Sequence, residues 1–155
     1  MKDNDKRIRD AFSWAKAYCS KQERSHRQVV NGLLKRGLEP WEAEDVLAEL
    51  ISENYVSESR FAQLYAKSKF NQNQWGRKKI QHELRLMGLS ESNIQLGLDQ
   101  IPEHEYKALL EKLCLRKMQS LGKQEPSSIK QKTIAFLLSK GFEYEEIVSV
   151  YLSLV

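Results

Sequence analysis

Three stretches of the chain set their apolar residues at the same distances from a glycine. VVNGLLKRGLEPWEAEDVLAEL runs around Gly37, IQHELRLMGLSESNIQLGLDQI around Gly88, and TIAFLLSKGFEYEEIVSVYLSL around Gly141. Four residues before each glycine stands Leu33, Leu84 or Leu137, and one residue after it Leu38, Leu89 or Phe142. Six after it come Ala43, Ile94 and Ile147, and ten after it Leu47, Leu98 and Tyr151. The glycines lie 51 (88 − 37) and 53 (141 − 88) residues apart. Agreement at so many offsets marks an internal repeat.

Each copy reads as helix, glycine stop, helix. Ile80, Leu84 and Met87 fall at i, i+4 and i+7, one face of a helix. A glycine just past the last turn supplies the left-handed residue that ends a helix cheaply, and the apolar residue after it packs back under the turn. The following helices open on Glu39-Pro40, Ser90-Glu91 and the acids Glu143, Glu145 and Glu146.

A further helix precedes each pair. It is marked by Ile8, Phe12, Ala15 and Cys19, then by Phe61, Leu64, Tyr65 and Ser68, and last by Tyr106, Leu109, Leu110, Leu113 and Met118. Ser57 can cap the second of these, and Pro102 suits the first turn of the third. The expected fold is all-α: three tandem three-helix, helix-turn-helix-like repeats over residues 5–56, 57–101 and 102–155. Units of about 50 residues are marginal alone, so neighbours should pack together or be stiffly joined.

Composition agrees and removes several classes of function. With 7 Gly and 3 Pro among 155 residues, the chain suits helices better than strands and turns. The first ten residues, MKDNDKRIRD, lack the apolar core of a secretory signal, and no apolar run is long enough to span a membrane. A cytoplasmic monomer is the expectation. Cys19 and Cys114 are far apart and read as reduced core thiols. His26, His82 and His104 share no ligand spacing, so no metal or other cofactor is expected. No phosphate loop, nucleophile elbow or carboxylate pair stands out, and an enzyme is not supported.

The formal charge is +4, and its distribution says more than its size. Residues 1–56 carry 10 bases and 10 acids, residues 57–101 carry 7 and 4, and residues 102–155 carry 8 and 7. Second helices tend to be basic: Arg24, Arg27, Lys35 and Arg36 flank or lie in the first unit's, and Lys130, Lys132 and Lys140 the third's. Third helices tend to be acidic, the first unit's holding Glu39, Glu42, Glu44, Asp45, Glu49 and Glu53. In a DNA-reading helix-turn-helix the last helix enters the major groove, where carboxylates would meet phosphates. Base reading by the third helices is therefore disfavoured.

The second helix of the middle unit is the better candidate. QWGRKKIQHELRLMGL places Arg77, Gln81 and Arg85 on one side of the helix, with Lys78 and His82 beside them. Lys67 and Lys69 lie upstream, and residues 67–82 hold five bases and no acid. Against a merely solvated face, or an ordinary Lys79–Glu83 pair, stands this exclusion of acids. Trp75 could stack on a partner, although a core anchor is its more ordinary role. The candidate contact residues are Lys67, Lys69, Trp75, Arg77, Lys78 and Arg85, with Arg24, Arg27, Lys35 and Arg36 in the first unit. Trp14 and Trp41 are expected to pack.

YVSESRFAQLYAKSKF followed by WGRKKIQHELRLMGLS resembles the central signature of the bacterial RecX regulatory proteins. The matching positions are Tyr55, Glu58, Phe61, Ala62, Gly76, Lys79, Ile80, Glu83, Leu84, Gly88 and Leu89, with Ser57 where that family commonly has Asp. The resemblance implies an elongated, curved array of three-helix repeats. It also implies a non-enzymatic modulator that binds RecA and the RecA–single-stranded DNA filament, usually suppressing ATPase, strand-exchange and coprotease activity in recombination and the SOS response. Its signature residues are mostly structural and do not mark a contact surface. The basic face of the middle unit is then expected to meet acidic RecA surface or DNA phosphate, with Arg77, Lys78 and Arg85 as its exposed part. Weak direct DNA binding could accompany this. The alternative is a stand-alone helix-turn-helix-like DNA-binding module, which would bind duplex tightly without RecA.

Overall fold

The computed structural model describes residues 2–155. Among them are nine α-helices and no strand: α1 (Lys2–Lys21), α2 (His26–Lys35), α3 (Pro40–Ser52), α4 (Glu58–Asn73), α5 (Arg77–Leu86), α6 (Glu91–Leu98), α7 (Glu103–Leu121), α8 (Pro126–Ser139) and α9 (Tyr144–Leu154). Helix α1 begins earlier than residue 5 because Asp3 and Asp5 in its first turn favour the positive end of the helix dipole. Pro102 sits one position outside α7, as its N-cap.

The three glycines close the second helices in one and the same way. Their φ values are +91° at Gly37, +85° at Gly88 and +98° at Gly141, where a side chain is strained. The next N–H in each case reaches back five residues: Leu38 to the Leu33 carbonyl, Leu89 to Leu84, and Phe142 to Leu137. Each glycine N–H bonds the carbonyl three residues back. These are Schellman closures, with the C3 and C″ residues both apolar and buried. Ser25, Ser57 and Ser90 cap α2, α4 and α6 through their hydroxyls.

The apolar residues sort into two cores. Ala11, Ala15, Cys19, Val29, Leu33, Leu38, Ala43, Val46 and Leu50 enclose the first unit's own core. The second and third units share one continuous core, running from Phe61 and Ile80 through Tyr106 and Leu110 to Phe142 and Tyr151. Cys19 and Cys114 are both free and buried. Trp14 is half-buried against Tyr18, but Trp41 is 64% exposed, since α3 turns Ala43, Val46 and Leu50 inward instead. No described helix is long and apolar enough to cross a membrane.

The two junctions differ in kind. The first unit meets the second through polar contacts: Arg60 Nε to Glu23 at 2.9 Å, His26 Nδ1 to Glu58 at 2.8 Å, and Arg27 Nη1 to the Leu86 carbonyl at 2.5 Å. The second meets the third through the shared core and through the start of α5. That start has no side-chain cap, because its N-cap is Gly76. The third unit supplies the acceptors: Gly76 N–H donates to the Lys140 carbonyl at 2.7 Å and Lys78 N–H to the Gly141 carbonyl at 2.9 Å. A Cβ on Gly76 would lie 2.3 Å from the Gly141 carbonyl carbon, so only glycine allows this approach.

Candidate functional site

The stretch GRKK, from Gly76 to Lys79, divides between this junction and the surface. Arg77 turns inward. Its guanidinium carbon lies 3.8 Å from the Tyr106 ring centre, and its nitrogens reach Glu143 at 2.9 Å, Glu103 at 2.5 Å and Glu146 at 3.4 Å. The Arg77 side chain is 19% exposed, not the free base that its position on the helix wheel suggested. Tyr106, fully buried, accepts from the Arg77 N–H and donates its own hydroxyl to Glu143. Burial, reinforced by that carboxylate, pushes the Tyr106 phenol far above its ordinary range.

Arg85 is exposed but engaged. Its Nε and Nη2 clamp both oxygens of Glu91 at 2.5 and 3.0 Å. The clamp lowers the Glu91 carboxyl and raises the guanidinium, the mutual stabilisation expected of a bidentate pair.

What remains is a group of lysines without ion pairs, of which Lys69, Lys79 and Lys140 lie together at the junction with the third unit. Lys67 and Lys78 are exposed, and neither they nor Lys69, Lys79 and Lys140 form an ion pair among the described residues. Lys69 and Lys79 both lie over Trp75, their ammonium nitrogens 5.0 and 4.6 Å from its ring centre. Lys79 therefore does not make the pair with Glu83 that the i,i+4 spacing allows. Trp75 is held edge-on against Tyr65, packs on the core with one part and carries the two lysines with the other. From the third unit, Lys140 reaches the Asn73 carbonyl at 2.9 Å. Burial, and then the nearby Lys79 charge, push the Lys140 ammonium below its ordinary range. Lysines crowded in this way gain from an incoming anion.

The first unit's bases also rest on aromatics. Arg24 stacks 3.6 Å from the Tyr18 ring centre, Tyr18 stacks on Trp14, and Arg36 covers Trp14 at 4.5 Å. Arg27 is spent on the Leu86 carbonyl, while Lys35 is exposed. The structure thus brings Lys67, Lys69, Trp75 and Lys78 to the middle unit's surface, and puts Arg24 and Arg36 on a separate aromatic stack. Sequence reasoning missed Lys79, Lys140 and Tyr65. Lys79 had a local partner at hand, and Lys140 joins the group only through the junction between units. No group of acids, histidines and cysteines able to hold a metal is present among the described residues.

A model of the second three-helix domain of RecX matches residues 57–98, and one of the third three-helix domain matches residues 104–150. The Regulatory protein RecX of Oceanobacillus iheyensis is 29% identical over 136 residues, covering 88% of this chain and 50% of that protein. That of Clostridium tetani is 31% identical over 135 residues, covering 86% and 62%. The chain spans between a half and two thirds of the length of these relatives. A crystal structure of regulatory protein RecX superposes with a TM-score of 0.85 at 24% identity, over 93% of this chain and 71% of that one. RecX from Lactobacillus salivarius does so with a TM-score of 0.87 at 19% identity, over 96% and 97%. These two likenesses establish the fold.

Proposed function

The chain belongs to the RecX family of regulatory proteins, and from that premise we propose that it binds RecA and its single-stranded DNA filament and restrains RecA's ATPase, strand-exchange and coprotease activities. The observation that carries the reading is the lysine group around Trp75, a cationic surface whose lysines form no ion pair among the described residues. A filament offers such a group both acidic protein surface and phosphate. Binding across neighbouring RecA subunits would resist the motions that accompany ATP turnover. The second and third units suit that task, since a shared core and three hydrogen bonds to the start of α5 hold them together. No catalytic step is part of the proposal.

The test is RecA ATPase on single-stranded DNA with this protein titrated in. Inhibition that saturates at or below equimolar protein supports the reading, and an unchanged rate at equimolar protein removes it. A stand-alone DNA-binding module predicts instead tight duplex binding without RecA, with a steep salt dependence. Mobility shifts at two salt concentrations, with and without RecA, separate the two.

A further inference from the structure

Glu42 and Glu146 hold the same place in their units, each five residues past the turn glycine (42 − 37 and 146 − 141). In the first unit that place is filled from within. Arg7 of α1 grips both Glu42 oxygens at 3.0 and 2.8 Å and also bonds the Gly37 carbonyl, leaving the Glu42 side chain 2% exposed. In the third unit no arginine of α7 does this. Glu146 meets one nitrogen of Arg77 at 3.4 Å, on a guanidinium already closer to Glu143 and Glu103. Burial and the Glu143 charge push its carboxyl up, and Glu145 beside it is exposed and makes no ion pair among the described residues.

Next to these acids a groove of about 450 Å³ opens between α7 and α9. Tyr106, Leu110 and Val150, each at most 4% exposed, form its floor, and Glu103, Glu145 and Glu146 its acidic side. His104 and Lys107 of α7 also border it, and neither is ion-paired to those acids. One guanidinium thus serves three carboxylates, with a fourth unserved, beside a groove with an apolar floor and a volume within the range of ligand sites. Electrostatic complementarity favours a cation in such a place, and an arginine fork suits two carboxylates better than a lysine does.

We propose that the α7–α9 groove is a docking site for a segment of a protein partner that presents an arginine beside an apolar side chain. The incoming guanidinium takes Glu145 and Glu146, in the part that Arg7 plays inside the first unit, and the apolar neighbour rests in the groove above the buried Leu110 and Val150, against the aliphatic stem of Lys107. This rests on reading the chain as a protein-binding regulator. It adds a contact of opposite charge to the lysine group, on other helices, and so fixes the orientation in which a partner can lie.

The experiment titrates the 15N-labelled full chain with the blocked dipeptide acetyl-leucyl-arginine amide and follows backbone amides by NMR. Saturable shifts at Leu110, Val150 and their neighbours are expected, with much weaker ones for the glutamine analogue. Ser149→Trp, which fills the groove from an exposed position, and Glu145→Lys should each abolish the shifts while thermal unfolding stays that of wild type. Absence of shifts at millimolar peptide, or equal shifts with the glutamine analogue, overturns the proposal. A second arm measures binding to the RecA–single-stranded DNA filament. Weakening by about tenfold or more in both variants supports the groove as the partner's dock. Wild-type affinity in both overturns that role. Dipeptide binding by a chain that ignores the filament keeps the groove and removes RecA as its partner.

Discussion

The guanidinium of Arg77 lies over the Tyr106 ring, its carbon 3.8 Å from the ring centre, while the Tyr106 hydroxyl accepts the Arg77 backbone N–H at 3.0 Å. One residue of the second unit thus both covers and caps against one residue of the third. Loss of this arrangement should cost stability before it costs binding. Arg77→Ala removes a partly buried charge and leaves Glu143 and Glu146 facing each other, an expected loss of about 2–3 kcal/mol. Tyr106→Phe keeps the ring and loses the hydroxyl bridge, an expected loss of about 1–2 kcal/mol. Urea unfolding of the two variants measures both. A loss below ~0.5 kcal/mol for Arg77→Ala would place that side chain among ordinary surface residues.

Two glycine-to-alanine variants should behave differently. At Gly37 an added Cβ meets nothing within 4 Å, so Gly37→Ala suffers backbone strain alone, about 1 kcal/mol. At Gly76 the Cβ would collide with the Gly141 carbonyl carbon at 2.3 Å, and relief requires the third unit to move off the start of α5. Gly76→Ala should therefore cost about 3 kcal/mol or more. Thermal unfolding ranks the two, and equal losses would contradict the junction as described.

Glu42 gives a pH dependence of definite sign. The Glu39 backbone N–H first, and then Arg7, hold its carboxyl below the ordinary 4.5, against an opposing effect of burial. The unfolded chain therefore binds this proton at higher pH than the folded one. The stability that Glu42 supplies is present above 4.5 and fades as pH falls through the lowered folded value. Glu42→Gln should lower the unfolding midpoint at neutral pH, and its deficit should shrink as the solution is acidified. A deficit that stays constant from neutral to strongly acidic pH would contradict the assignment.

Because the cores are separate, local opening should divide between the first and second units. Leu50→Ala, a fully buried change in the first core, should cost about 2–5 kcal/mol locally and speed amide exchange in α1–α3. Exchange in α4–α9 should stay near wild type. Leu84→Ala should instead speed exchange across both the second and third units, which share its core. Hydrogen exchange read by mass spectrometry checks the contrast, and uniform acceleration in both variants would mean that one cooperative unit spans the chain.

The repeat was legible because helix closure needs a glycine at +91°, +85° and +98°, and because each closure buries the same pair of apolar residues. Leu33 with Leu38, Leu84 with Leu89, and Leu137 with Phe142 are local pairs, and local geometry leaves periodic marks. The charges were harder to read. Basic second helices suggested a face for partners, yet the innermost of the charges join units: Arg77 finds Glu143 and Glu146 across 66 and 69 residues. A helix wheel assigns an outward side without knowing what packs there, so it showed Arg77 as free. It gave Lys78 as free too, and Lys78 is exposed. Trp41, set down as a packing residue, lies at the start of α3 on the solvent side, while Glu42 beside it is buried through Arg7. No local pattern reveals that exchange.

The most direct measurement is the affinity for the RecA–single-stranded DNA filament of a variant with Lys67, Lys69, Lys78 and Lys79 all changed to glutamate. None of the four is ion-paired among the described residues, and acids at positions 78 and 79 suit the first turn of α5. The fold should survive, as judged by an unchanged helical spectrum and an unfolding midpoint close to wild type. The account predicts binding weakened by a factor of about 100 or more at physiological salt, with loss of ATPase inhibition in parallel. A folded quadruple variant that binds and inhibits as wild type does would contradict the lysine group as the surface that meets the filament.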